Sequence, residues 1–139
     1  ILHLACSTKP FFMSIVTTLP ATDHRIPLQI AEQMTDRYRA NYESILAPEY
    51  RGKNLLAKNE TFNRAAIEQL LSIKDCAGMR IYYGMDDSLQ CHAILVGVNE
   101  ANEDILPLSV TMQSTTDDFV FEEGQRCPDF CPPDSPLNK

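Results

Sequence analysis

Residues 76–100 read CAGMRIYYGMDDSLQCHAILVGVNE, and this stretch decides the fold. Met79, Ile81, Tyr83 and Met85 alternate with Arg80, Tyr82 and Gly84, the period of a strand with one drier face. Asp86, Asp87 and Ser88 follow, short oxygen-bearing side chains that can bond a reversing backbone. Residues 91–98 are apolar at nearly every position, a run too short for a helix and suited to a strand. A strand that is apolar on both faces has to be covered on both. The stretch therefore predicts an antiparallel hairpin at about 79–98, with Leu95 and Ile81 in the core. Along the second strand, Cys91, Ala93, Leu95 and Gly97 point one way, and His92, Ile94, Val96 and Val98 the other. The second set is bulkier and is expected to meet the helices.

Those helices precede the hairpin. Ile30, Met34, Tyr38, Tyr42 and Ile45 form one apolar stripe and predict a helix over about 27–46. Pro27 suits its first turn and Pro48 lies just beyond its end. A basic connector at 49–59 carries Leu55 and Leu56 for docking on the core. Asn63 is the best cap for a second helix, with Phe62 placed to meet Ile67 as a hydrophobic staple. Ile67, Leu70, Leu71 and Ile73 make its expected buried side. This helix should stop near Asp75, with Gly78 taking the left-handed geometry that ends helices.

After the hairpin, Glu100, Asn102 and Asp104 alternate oxygen ligands. They lack the bend glycine and distal acid of a calcium loop, so a solvated turn is the simpler reading. A third strand is expected at about 105–112, confined by Pro107 to an edge or a late start, then a polar loop at 113–118 and a short apolar element at 119–121. Beyond Gly124 the proline-rich CPDFCPPDSPLNK should be irregular. The expected fold is α+β, two helices packed on a small antiparallel sheet. Residues 1–25 read as a flexible leader, 26–124 as one domain, and 125–139 as a Pro/Cys-rich tail packing on or extending from it. In the leader, His3 stands where a lipoprotein cleavage site at Cys6 would need an aliphatic residue.

Charge and cysteine narrow the function. The net charge is −7 over 139 residues, which leaves no basic patch for nucleic acid. It is also uneven: residues 25–80 hold nine Lys or Arg and seven Asp or Glu, whereas 81–125 hold none and nine. No apolar run is long enough to span a bilayer, so no membrane role is expected. The five cysteines, an odd number without an evident secretory signal, suit a reducing compartment better than a disulfide framework.

Cys127 and Cys131 stand at a spacing seen in zinc ligand pairs, and Cys76, Cys91 or His92 would have to complete a site. A disulfide between them would close a short loop of little entropic benefit. Reduced, partly buried thiols are the expected state, with no metal and no cofactor. His92 neighbours Cys91, but adjacent strand residues point to opposite faces and cannot form a dyad. Turn chemistry explains the pairs Asp86-Asp87 and Asp117-Asp118, and no glycine-rich phosphate loop is present.

Cys76, Arg80, Tyr82, Tyr83, Gly84, Val96, Gly97, Cys127 and Cys131 carry a likeness. Residues 26–138 resemble a group of small uncharacterised bacterial proteins with a GC–RIYYG–LVGV–D core and a C-terminal Cys-Pro tail. The resemblance implies a cytoplasmic protein and carries no activity with it. The leading expectation is a non-enzymatic binding or accessory module for a protein partner or a second copy. Arg80 and Tyr82 would frame a small-residue surface around Leu95, and the tail or another subunit would cover it. The alternatives are a thiol-dependent redox or metal-binding protein using the C-terminal cysteine pair, and a small-molecule sensor with Arg80 and Tyr82 lining a pocket.

Overall fold

The computed structural model describes residues 18–107 and 120–139. The leader before residue 18, the 108–112 part of the expected third strand and the loop at 113–118 lie outside the described residues. The elements run α1 (Leu28–Asn41), a 3-10 turn (Pro48–Tyr50), β1 (Asn59–Thr61), α2 (Arg64–Ser72), β2 (Gly78–Met85), β3 (Cys91–Val98), β4 (Asp104–Ile105) and β5 (Gln125–Cys127). β2, β3 and β4 make a three-stranded sheet in that order, β1 and β5 a two-stranded one, and every pairing is antiparallel. The fold is α+β. Among the described residues, no helix is long and apolar enough to cross a membrane.

The hairpin forms in the register that its alternation demands, with Ile81 opposite Leu95 and Met85 opposite Cys91. Asp86 closes it: Oδ1 accepts from the backbone N–H of Ser88 at 2.9 Å and of Gln90 at 2.8 Å. α2 starts where its cap predicts, with Asn63 Oδ1 accepting from Ala66 N–H at 2.9 Å. It ends earlier than expected, and Asp75, not Gly78, takes the left-handed conformation, because Gly78 already belongs to β2.

The core is Leu55, Leu70, Ile73, Leu95, Val96, Val98 and Cys127. Three expectations fail here, the first at Leu71, expected on the buried side of α2 and 50 % exposed. Ile81 is 46 % exposed, because it lies on the edge strand with nothing laid over it. The helices also gather on the other side of the sheet from that expected. A Cβ on Gly97 would meet Cys76 Sγ at 3.3 Å and Ile73 Cδ1 at 3.8 Å, so the end of α2 rests on the small-residue face. Small residues admit close approach of a helix, and that advantage outweighs the bulk of the β-branched side. The opposite face receives Leu19, whose side chain reaches Gly78 and whose N–H bonds Glu100 O at 2.9 Å. α1 has no buried residue, and it meets the rest through Tyr38, whose hydroxyl donates to Ala57 O at 2.8 Å, and through Arg39.

The tail does not cover the sheet. Arg39 donates to Leu137 O, and residues 131–139 enclose a cavity of about 220 Å³ against Arg39, Lys58 and Asn59. Cys127 and Cys131 are joined as a disulfide, in place of the reduced thiols expected from the sequence. Their Cα atoms lie 4.5 Å apart, within the span a disulfide allows, and spacing alone cannot choose between the two states.

The outer edge of β3 is closed piecemeal. Cys91 N–H donates to Leu55 O at 2.6 Å, Leu95 exchanges bonds with Phe121, and Gly97 and Val98 pair with β4. Between them Ala93 N–H donates to both oxygens of the Glu60 carboxylate, at 3.0 and 3.1 Å. Cys91 O accepts from Arg126 Nε at 3.0 Å, and the same buried guanidinium donates to Asn54 O and Leu55 O. Glu60 and Arg126 are direct partners across β1 and β5, so one cross-strand pair fastens the small sheet to the large one. Gly124 makes room for it, since a Cβ there would lie 2.7 Å from the Phe62 ring and 2.9 Å from Glu60 Oε2.

Leu70→Ala should lower stability in urea unfolding by about 2–4 kcal/mol, whereas Leu71→Ala, half exposed, should stay within about 0.5 kcal/mol. Arg126→Ala should cost about 2–4 kcal/mol, because carbonyls around it lose their donor. Glu60→Ala should cost about 1–3 kcal/mol and Glu60→Gln far less, since an amide oxygen still accepts from Ala93. Equal losses for the two Glu60 variants would show that charge, not the acceptor, holds the sheets together.

Candidate functional site

Strand alternation fixes where each backbone group of the hairpin points. Cys91, Ala93 and Leu95 direct their N–H groups to Leu55, Glu60 and Phe121, away from β2. His92, Ile94, Val96 and Val98 therefore face β2, opposite Gly84, Tyr82, Arg80 and Gly78. By the same alternation Met79, Ile81, Tyr83 and Met85 turn their N–H and C=O groups to the far side of β2. There they find no backbone partner among the described residues.

The side chains of these four residues share a face with Ala93 and Leu95. Apart from Met85, that face lines an open groove of about 490 Å³, together with Tyr38 of α1, Phe62 and Ile67 beside and within α2, and the polar 58–60 segment. Tyr83, at the outer end of the groove, is 85 % exposed, and Met85 beyond it 61 %. Burial raises the pKa of the Tyr38 hydroxyl above its ordinary value, with Cys91 adding to the effect. Ile30 and Met34 of α1, and Ile45 in the turns after it, are also exposed. An unpaired strand edge beside an apolar face can take another extended chain, through main-chain bonds on the edge and side chains in the groove.

The residues singled out in the sequence do not assemble here. Leu95 is 3 % exposed and forms the floor of the groove. Arg80 and Tyr82 lie on the opposite face, opposite Val96 and Ile94, so they cannot frame it. Arg80 pairs with Asp104 and donates to Asn102 Oδ1 at 2.5 Å, and the Tyr82 hydroxyl donates to Asp104 Oδ2 at 2.5 Å. The Arg80 guanidinium also sits 6.0 Å from the centre of the Tyr82 ring. This cluster ties β2 to β4 across β3.

Of the weak metal candidates, Cys127 and Cys131 are bridged, and Cys76 offers its thiol to Gly78 O at 3.2 Å. Among the described residues, no three His, Cys, Asp or Glu side chains gather closely enough to hold a metal ion. His92 lies between two acids, with Nε2 3.4 Å from Asp86 Oδ2 and Nδ1 2.8 Å from Glu122 Oε1. The second contact is an ion-pair distance without hydrogen-bond alignment. The Gln90 backbone N–H, more than His92, holds the Asp86 carboxyl below its ordinary pKa. This cluster pins the 121–122 segment to β3.

The chain matches no family model, no curated protein and no solved structure.

Proposed function

We propose that this chain is a non-enzymatic recognition module that binds a polypeptide strand along β2, the apolar groove reading alternate side chains. The observation that carries this reading is the row of backbone groups on Met79, Ile81, Tyr83 and Met85 that find no partner among the described residues. Protein edges are usually blunted by lysine, proline or a bulge. β2 has no lysine or proline, its register with β3 is continuous, and its one charge, Arg80, is engaged by Asp104. A strand left this open fits a partner. Sparse immobilisation of the protein and selection from a random linear peptide library should enrich peptides with alternating apolar residues. Their binding should be lost in Tyr83→Pro, which removes one outward N–H and no bond to β3. Selection that returns no Tyr83-dependent binder would overturn the reading.

A second reading rests on the disulfide. Cys131 is exposed, Cys127 is buried, and Arg39, Lys58 and Lys139 line the cavity beside them, cations of the kind that stabilise a thiolate. In this reading a partner dithiol attacks through one thiolate at Cys131 Sγ, and Cys127 leaves as the thiolate. The partner's second thiol then displaces Cys131, leaving this chain reduced and the partner oxidised. The bridge favours an oxidising compartment over the reducing one suggested by the cysteine count. Equilibration against glutathione buffers separates the two roles. A bridge that opens within the glutathione range supports exchange, and one that resists it is structural.

A further inference from the structure

We propose that the strand received by β2 is the β2 of a second copy of this chain, in an antiparallel register centred on Tyr82. The inference rests on the recognition role proposed above and names its occupant.

The strand is self-complementary in one register above the others. Two β2 strands laid edge to edge pair through their outward residues, so Met79, Ile81, Tyr83 and Met85 of one copy must meet the same set in the other. Placing Tyr82 opposite its own counterpart sets Met79 against Met85 and Ile81 against Tyr83, and satisfies all four in both copies. Shifting the centre by one residue to Ile81 leaves Met85 without an outward partner from that set. In the Tyr82-centred register Arg80 meets Gly84, so the one charge on the strand never faces its like. The Tyr82 side chains do not obstruct the axis, because each is drawn toward β4 by its bond to Asp104.

The faces agree as well as the edges. Paired residues of an antiparallel sheet share a face, so the two grooves lie on the same side of one continuous six-stranded sheet. Exposed Tyr83 of each copy then stands beside Ile81 of the other, an aromatic against a β-branched side chain. Ile81 is 46 % and Tyr83 85 % exposed in the single chain, and the pairing removes apolar surface from water on each.

Sedimentation at high micromolar concentration should give a dimer for the intact chain and a monomer for Tyr83→Pro, with the variant's far-ultraviolet circular dichroism unchanged. Register is read separately by cross-linking, with Cys6→Ser, Cys76→Ser and Cys91→Ser as background. Tyr82 and its counterpart form a non-hydrogen-bonded pair, with Cα atoms about 4.5 Å apart, within reach of a disulfide. Tyr82→Cys should therefore oxidise to a covalent dimer, and Ile81→Cys, facing Tyr83 of the partner, should not. A monomeric wild type overturns the inference, and if that monomer still binds Tyr83-dependent peptides, strand recognition itself stands. A dimer that survives Tyr83→Pro, or one in which Tyr82→Cys fails to cross-link, overturns it too.

Discussion

Everything in this fold depends on satisfying the outer backbone edge of β3. Buried N–H and C=O groups must find partners, and a strand of eight residues presents them on both sides. β2 answers one side completely. On the other, β4 supplies two residues, and the remainder is assembled from a loop carbonyl, a single bridge to Phe121 and two side chains. Glu60 stands in for a strand carbonyl and Arg126 for strand N–H groups. That substitution explains why a nearly buried arginine is tolerated: its guanidinium is matched to three carbonyls, with geometry suited to its rigid fork of donors.

The same accounting distinguishes the two edges of the sheet. Where β3 must be closed, the chain brings in segments distant in sequence, from residues 54–60 and 121–126. Where β2 ends the sheet, nothing comparable is brought in among the described residues, although those of the strand are more apolar than a bare edge needs. Arg80, Tyr82 and Asp104 tie the strand to β4 on the face away from Leu95.

Much of the hairpin was legible from sequence because period-2 alternation and an Asp-rich turn act locally. The cap at Asn63 was legible for the same reason. Alternation divides a strand into two faces but does not say which one a helix will choose, and here the small side chains of Ala93 and Gly97 decided it. It also places Arg80 and Tyr82 away from Leu95, a consequence available in the sequence that a guess at shared framing overrode. Glu60 and Arg126 were missed because they sit in a connector and a tail, where no periodicity marks a buried position. One signal was present: Arg126 is the first cation after the long stretch without Lys or Arg, an isolated charge rather than part of a solvated run. The open edge could not be read at all, since it depends on what the rest of the chain fails to cover.

The patchwork along β3 has a consequence for how far any assembly could grow. A polymer needs units with two reactive ends, and a unit with one acts as a chain stopper. This sheet offers a full-length template on the β2 side alone, since on the other side Leu55, Glu60 and Phe121 already occupy β3 and β4 spans two residues. An added strand therefore terminates the array as it forms. Loosening the Glu60 and Arg126 fastening would convert the stopper into a two-ended monomer, and fibre formation would become the hazard of that one lesion.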